Sequence, residues 1–205
     1  MAALFTYVGT LIHDCFGSYW GLTKAKHALC GPHLLRELTG LVEAGSPRAG
    51  QMHTLILGLY QAKLAAKPFS SRHKAWRTYD EICQLADDYE PPPEPRPRGK
   101  YKRTKGRNLA ERLIKYKTEV LRFALEPNIP FSNNQAERDI RPVKGKQKVA
   151  GCFRTVQGAM RYARLQSIFS SWRKQGYSTF IELKAILDGN SFQFMDYLTK
   201  IVIME

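Results

Sequence analysis

The chain has 205 residues, 43% of them hydrophobic, and a formal net charge of +14. This length can bury a core in one or two domains, and no apolar run reaches the roughly 18–20 residues of a membrane-spanning helix. Four scattered cysteines indicate reduced thiols rather than a disulfide framework, and the first ten residues lack the charged region of a signal peptide. We therefore expect a cytoplasmic protein without a membrane partner.

The N-terminal residues have the composition of a short sheet. The apolar, β-branched run from Leu4 to Ile12 predicts a buried strand that ends at His13 and Asp14. Residues 25–30 predict a second short strand. His13 is interpreted either as a pocket residue or as a solvated strand end, and the second reading is preferred.

Helical patterns dominate after Pro32. Apolar residues recur at helical spacing and predict helices over 33–45, 51–66, 72–89 and 106–125. The proline-rich stretch 91–98 predicts a stiff, solvated segment. The overlapping basic run 96–107 has seven Lys or Arg and no acid, which fits either a solvated linker or a clamp on the DNA backbone.

A further helix is predicted to open at Asn133 or Asn134, either of which is a good N-cap. Asn134 and Glu137 have the spacing of a capping box, and Pro142 predicts a kink or a 3₁₀ turn within the helix. A glycine-containing connection at 151–153 precedes predicted helices over 157–175 and 179–188, with Gly189 at the C′ position. Trp172 and Tyr162 are predicted core residues.

Glu137 heads a basic stripe on this helix. Arg141, Lys144 and Lys148 follow it at +4, +7 and +11, which keeps them on one helical face. Such a face is often only solvated surface, but residues 138–174 contain ten Lys or Arg and one acid. Clustered positive charge is typical of a protein that binds a polyanion. A carboxylate at the start of the basic stripe suits a site that holds a divalent metal against a phosphate backbone.

Asp14 is the second candidate carboxylate. It ends a predicted strand, where acidic side chains often serve as metal ligands. A lone Asp in this position is more commonly a turn or cap residue. The pairing with Glu137 and its basic helix favours the functional reading.

Four blocks in this order resemble DDE transposases of the insertion-sequence-66 type. Residues 9–19 resemble the block around the second catalytic Asp of these transposases, and residues 27–38 resemble their Cys-x-x-His block. Residues 133–154 are similar to the catalytic-Glu block, and residues 162–190 resemble the C-terminal module. The resemblance covers the chain to about residue 192.

The resemblance implies an α/β, mostly helical fold, with a partial RNase H-like core, a large all-α insertion and C-terminal helices. The expected divisions are 1–33 for core strands, 34–126 for the insertion with its linker near 91–107, 127–175 for the catalytic-Glu helix and basic part of the core, and 176–205 for the C-terminal module. The fold further implies that Asp14 and Glu137 meet in space.

The resemblance also implies function. Asp14 and Glu137 would be catalytic residues and ligands of Mg²⁺ or Mn²⁺, in a two-metal phosphoryl transfer on DNA. The expected partners are transposon ends, target DNA, and other protomers or accessory proteins, in the bacterial nucleoid. Cys30 and His33 would have a structural or DNA-positioning role, and a zinc site with His27 is the less favoured alternative. The expected DNA-binding residues are Arg138, Arg141, Lys144, Lys146, Lys148 and Arg154.

One departure bears on activity. The family uses three carboxylates, whereas residues 1–13 contain no Asp or Glu. We therefore expect the C-terminal part of a transposase that is inactive alone. The alternative is a non-catalytic DNA-binding remnant or regulator.

Overall fold

The chain forms two compact units, Met1–Asn133 and Asn134–Glu205. The computed structural model describes residues 7–66, 72–89 and 103–190. The proline-rich stretch, most of the basic run 96–107 and the tail after residue 190 lie outside the described residues. The predicted division into four segments remains a prediction.

Two short parallel strands open the first unit. β1 (Thr10–His13) pairs with β2 (Lys26–Leu29), from Thr10 opposite Lys26 to His13 opposite Leu29. A 3₁₀ turn, Gly17–Gly21, lies in the crossover between them. These two strands are the sheet of the described residues, so the mixed sheet of an RNase H-like core is not seen there.

The predicted first strand, residues 4–12, is wrong at residues 7–9, and residues 4–6 lie outside the described residues. β1 begins at Thr10, and the Val8 side chain is 73% exposed. By contrast, Ala28 and Leu29 of β2 are fully buried. The difference arises because the helices of the first unit pack on β2, where Arg122 Nε donates to the His27 carbonyl at 2.7 Å.

Five helices complete the described part of the first unit. They are α1 (Gly31–Glu43), α2 (Pro47–Leu64), α3 (Arg72–Tyr89), α4 (Lys105–Lys115) and α5 (Lys117–Leu125). Ser46 and Thr104 cap α2 and α4 by accepting backbone amide hydrogen bonds. The helical periodicity is confirmed by a shared apolar core that includes Leu34, Leu38, Met52, Ile56, Leu59, Tyr79, Ile82, Leu109, Leu113, Val120 and Leu121.

The single helix predicted over 106–125 is wrong, because the chain breaks at Tyr116 into α4 and α5. Tyr116 leaves helical geometry, with φ −113° and ψ 34°. Its ring stacks on Trp20 with the ring centroids 4.0 Å apart and the planes 10° from parallel. A contact distant in sequence therefore accompanies a break that local periodicity cannot show.

Lys63 of α2 fixes the end of α5. Its Nζ donates to the carbonyls of Phe123, Glu126 and Ile129 at 2.7, 3.3 and 2.5 Å. A cation at a helix C-terminus satisfies carbonyls that have no partner within the helix. Burial lowers the Lys63 pKa. The packed helices thereby hold the segment that leads to the second unit.

The second unit contains α6 (Asn134–Ala150), α7 (Val156–Lys174) and α8 (Thr179–Leu187) among its described residues. α6 and α7 form an antiparallel hairpin across the predicted connection, where Gly151 has φ +72°. Gly189 has φ +75° just past the C-cap of α8, which confirms its predicted C′ position. Trp172 is buried, as predicted, and Tyr162 is half-buried.

The predicted start of α6 is confirmed, but the predicted capping is wrong. Asn134 is the first helical residue, so it cannot be the N-cap of a capping box with Glu137. Asn133 occupies the position before the helix, but its buried Oδ1 has no hydrogen-bond partner among the described residues. α6 is α-helical throughout, so the alternative of a 3₁₀ turn at Pro142 is wrong, and the alternative of a kink there stays a prediction.

None of the helices in the described part of the chain combines the length and the apolar content that crossing a bilayer requires.

Candidate functional site

The first candidate site is the turn after β1, which carries Asp14. The Asp14 side chain is exposed, and its Oδ1 accepts a hydrogen bond from the Phe16 amide at 3.2 Å. Cys15, between them, has φ +70°, a left-handed conformation that is uncommon for a residue other than glycine. The predicted carboxylate therefore lies at the carboxyl end of a strand, in a turn fixed by its own side chain.

The expectation that His13 is a solvated strand end is wrong. His13 is 1% exposed, and its Nε2 lies 3.1 Å from His27 Nδ1. The 3₁₀ turn accounts for this burial because it places Tyr19 and Trp20 against the ring, with centroids 5.1 and 4.9 Å away. Burial, with a smaller contribution from His27, lowers the His13 pKa to about 4.

This shift gives an expected pH dependence of stability. An unfolded His titrates near 6.5 and native His13 near 4, so between these values the unfolded chain binds more protons. The free energy of unfolding should therefore fall as pH decreases from about 6.5 to 4, by no more than about 3 kcal/mol. Urea unfolding at several pH values would measure this, and His13→Asn should flatten the dependence. An unchanged slope in that variant would contradict the assignment.

The Cys30 and His33 motif adjoins the same turn. Cys30 is buried at the N-cap position of α1, and its amide donates to the His13 carbonyl at 2.9 Å. His33 is half-buried in the first turn of α1. Within residues 7–66, 72–89 and 103–190, no three His, Cys, Asp or Glu side chains are grouped to hold a metal ion. The bond from the Cys30 amide links the start of α1 to the end of β1.

The second candidate site is the outer face of α6. The opposite face of α6 packs on α7 and carries Asp139. The Asp139 carboxylate accepts hydrogen bonds from Ser170 Oγ at 2.8 Å and Lys174 Nζ at 2.5 Å, both on α7. Hydrogen bonds from Lys174 and Ser170 lower the pKa of Asp139. The pairing of Lys174 with the only acid between residues 138 and 174 was not foreseen from the sequence.

The predicted basic stripe faces away from α7. At about 100° per residue, Glu137, Arg141, Lys144 and Lys148 lie within about 40° of the direction opposite Asp139. The three cations are exposed, and Glu137 is half-buried in the first turn. The structure thus leaves one carboxylate and three cations in a row on the side of the hairpin that α7 does not cover.

The other predicted DNA-binding residues are placed differently. Arg138 is exposed beside a surface cavity of about 300 Å³ that Arg173 and Lys174 also line. By helical angle, Lys146 projects on the side of Asp139, although its side chain is exposed. Arg154 is exposed in the connection between α6 and α7. The six cations therefore do not form one surface.

Asp14 belongs to the first unit and Glu137 to the second. Their expected meeting in one cleft remains a prediction. The pairing of His13 and His27 was also missed, although one signal was present. His13 directly follows the first predicted strand and His27 lies in the second, and the parallel register, with His27 opposite Leu11, places both histidines on one face of the sheet.

Comparison with known families supports the resemblance of the first three blocks, whereas the fourth block, residues 162–190, lies beyond the matched residues. The model of the family described as "Transposase IS66 family" matches residues 1–161. No match was found among curated proteins or among solved structures.

Proposed function

The chain belongs to the IS66 transposase family, and on this premise we propose that it acts in transposition of a bacterial insertion sequence, in metal-dependent cleavage and joining of DNA strands. Asp14 and Glu137 are the proposed metal ligands, and the outer face of α6 is the proposed DNA contact. The observation that carries the proposal is the row of exposed Arg141, Lys144 and Lys148 behind Glu137.

The charge of α6 supports DNA binding. Lys174 is paired with Asp139 on the covered side of the hairpin, so the cations of the outer face have no acid of their own helix beside them except Glu137. Lys and Arg contacts to phosphates supply most of the affinity of sequence-independent DNA binding. A helix with this face can lie along a DNA backbone, with Glu137 at the helix end where its macrodipole favours negative charge.

The donor chemistry supports a divalent cation. Carboxylate oxygens suit Mg²⁺ and Mn²⁺, which are hard ions, and the exposed Asp14 carboxylate is open to such an ion. When bound, the metal would activate the attacking oxygen and stabilise the leaving oxygen of a phosphoryl transfer. This chain would hold it through Asp14 and Glu137, while Arg141 and Lys144 would bind the DNA backbone.

The second candidate is a non-catalytic DNA-binding remnant or regulator. One observation favours it: within residues 7–66, 72–89 and 103–190, no three His, Cys, Asp or Glu side chains are grouped to hold a metal ion. In this alternative, the basic face of α6 binds DNA but no strand is cut.

A nicking assay separates the two candidates. In the presence of Mn²⁺, we expect the chain alone not to nick supercoiled DNA that carries the ends of the element. The reason is that two carboxylates supply too few ligands for a pair of metal ions. Any Mn²⁺-dependent nicking that the chain carries out together with the other proteins of its element should be abolished by Asp14→Asn and Glu137→Gln. DNA binding without nicking under these conditions would favour the remnant. Robust nicking by the chain alone would refute the expected need for a third carboxylate.

A further inference from the structure

A chain of three hydrogen bonds runs through His13 and His27. Cys15 N lies 3.1 Å from His13 Nδ1, His13 Nε2 lies 3.1 Å from His27 Nδ1, and His27 Nε2 lies 3.2 Å from the Leu22 carbonyl. A backbone amide can only donate and a carbonyl can only accept. Both rings must therefore be neutral with the proton on Nε2, so that His13 Nε2–H donates to His27 Nδ1.

This chain of hydrogen bonds ends at Cys15, the strained residue beside Asp14. Cys15 has φ +70°, a conformation that persists only where its surroundings impose it. Here the Cys15 amide donates to His13 Nδ1, and the next amide, of Phe16, donates to Asp14 Oδ1. Two side chains that precede the turn thus hold the peptides on both sides of Cys15, which sets the direction of the Asp14 carboxylate.

The His13 ring is itself held in place. Tyr19 and Trp20 contact it, and Trp20 stacks on Tyr116 of the helical core. The backbone carbonyl of His13 accepts from the Cys30 amide. A rotation of the ring would break the bonds to Cys15 and His27 together. The core of the first unit is therefore linked to the Asp14 turn through one imidazole.

We propose that His13, held by His27, is a positioning residue that sets the Asp14 carboxylate for binding a divalent cation. The proposal rests on the proposed function of Asp14 as a metal ligand. His13 does not touch the metal, and its contribution is the acceptor atom Nδ1, which fixes the turn. Residues that orient metal ligands commonly change metal affinity by about 10–100-fold when they are replaced.

Two variants of His13 test which ring nitrogen matters. His13→Asn places an amide oxygen near the position of Nδ1, whereas His13→Gln places its amide near Nε2. In the full chain, Mn²⁺ affinity by calorimetry should fall at least about tenfold in His13→Gln and stay within about threefold of wild type in His13→Asn. If both His13 variants bound Mn²⁺ with equal affinity while Asp14→Asn bound it much more weakly, the positioning role of His13 would be overturned. The proposed role of Asp14 as a metal ligand would stand.

The Asp14→Asn variant distinguishes failure of the proposed function from failure of the positioning role. Unchanged Mn²⁺ affinity in this variant would show that Asp14 is not a ligand, and both proposals would then fall. Two measurements on the wild-type chain need no variant to fold. ¹⁵N spectra of the imidazoles should show both rings protonated on Nε2, and the Cys15 amide should be protected from hydrogen exchange. A proton on His13 Nδ1 would overturn the positioning role.

Discussion

Replacing Lys144 and Lys148 with alanine should weaken binding to a non-specific DNA duplex by about 10- to 100-fold near 0.1 M salt. Each phosphate contact contributes about −0.9 to the slope of log K against log salt, so loss of two contacts should flatten the slope by about 1.8. Both side chains are exposed on the face of α6 opposite Asp139, where α7 does not compete with DNA. Fluorescence anisotropy across a salt titration would measure both quantities.

A matched control removes the same charge elsewhere. Lys74 and Arg77 are exposed on α3 of the first unit, and Lys74→Ala with Arg77→Ala lowers the net charge by the same two units. This control should leave the affinity within about threefold of wild type. If both double variants lost affinity equally, net charge rather than the face of α6 would explain the binding.

The helices of the first unit were predictable because their cores are periodic. Leu34 and Leu38 of α1, and Ile56 and Leu59 of α2, are buried at the spacing that the sequence shows. The division at Tyr116 was not predictable, since its ring stacks on Trp20, almost a hundred residues earlier in the chain. Local pattern establishes that a helix exists, whereas its break at Tyr116 coincides with a contact that is distant in sequence.

The candidate site shows the same limit. The spacing of Glu137, Arg141, Lys144 and Lys148 places them on one face from sequence alone. Only the bonds of Asp139 to Ser170 and Lys174 show that this face is the one α7 leaves uncovered. The burial of His13 depends on Tyr19 and Trp20, whose placement by the 3₁₀ turn no periodic pattern predicts.

Asp14→Asn and Glu137→Gln should each lower the affinity of the chain for Mn²⁺ by about tenfold or more, because each removes a charged ligand of the same ion. The proposed function requires the two carboxylates to share the ion, so their effects should not be additive. In a double-mutant cycle, the double variant should bind Mn²⁺ little more weakly than the weaker single variant. Calorimetry with and without element-end DNA would measure the four affinities.

Glu43 and Asp188 provide the control for this cycle, since both carboxylates are exposed and lie outside the proposed site. Glu43→Gln and Asp188→Asn should leave Mn²⁺ affinity unchanged, because loss of a remote, solvated carboxylate is largely screened by salt. Small additive losses in all four variants would indicate diffuse binding to surface acids.

The shared site would also be refuted if the carboxylates of Asp14 and Glu137 lay more than about 10 Å apart when Mn²⁺ and DNA were bound. The reason is that the ions in a two-metal site lie only about 3.5–4 Å apart.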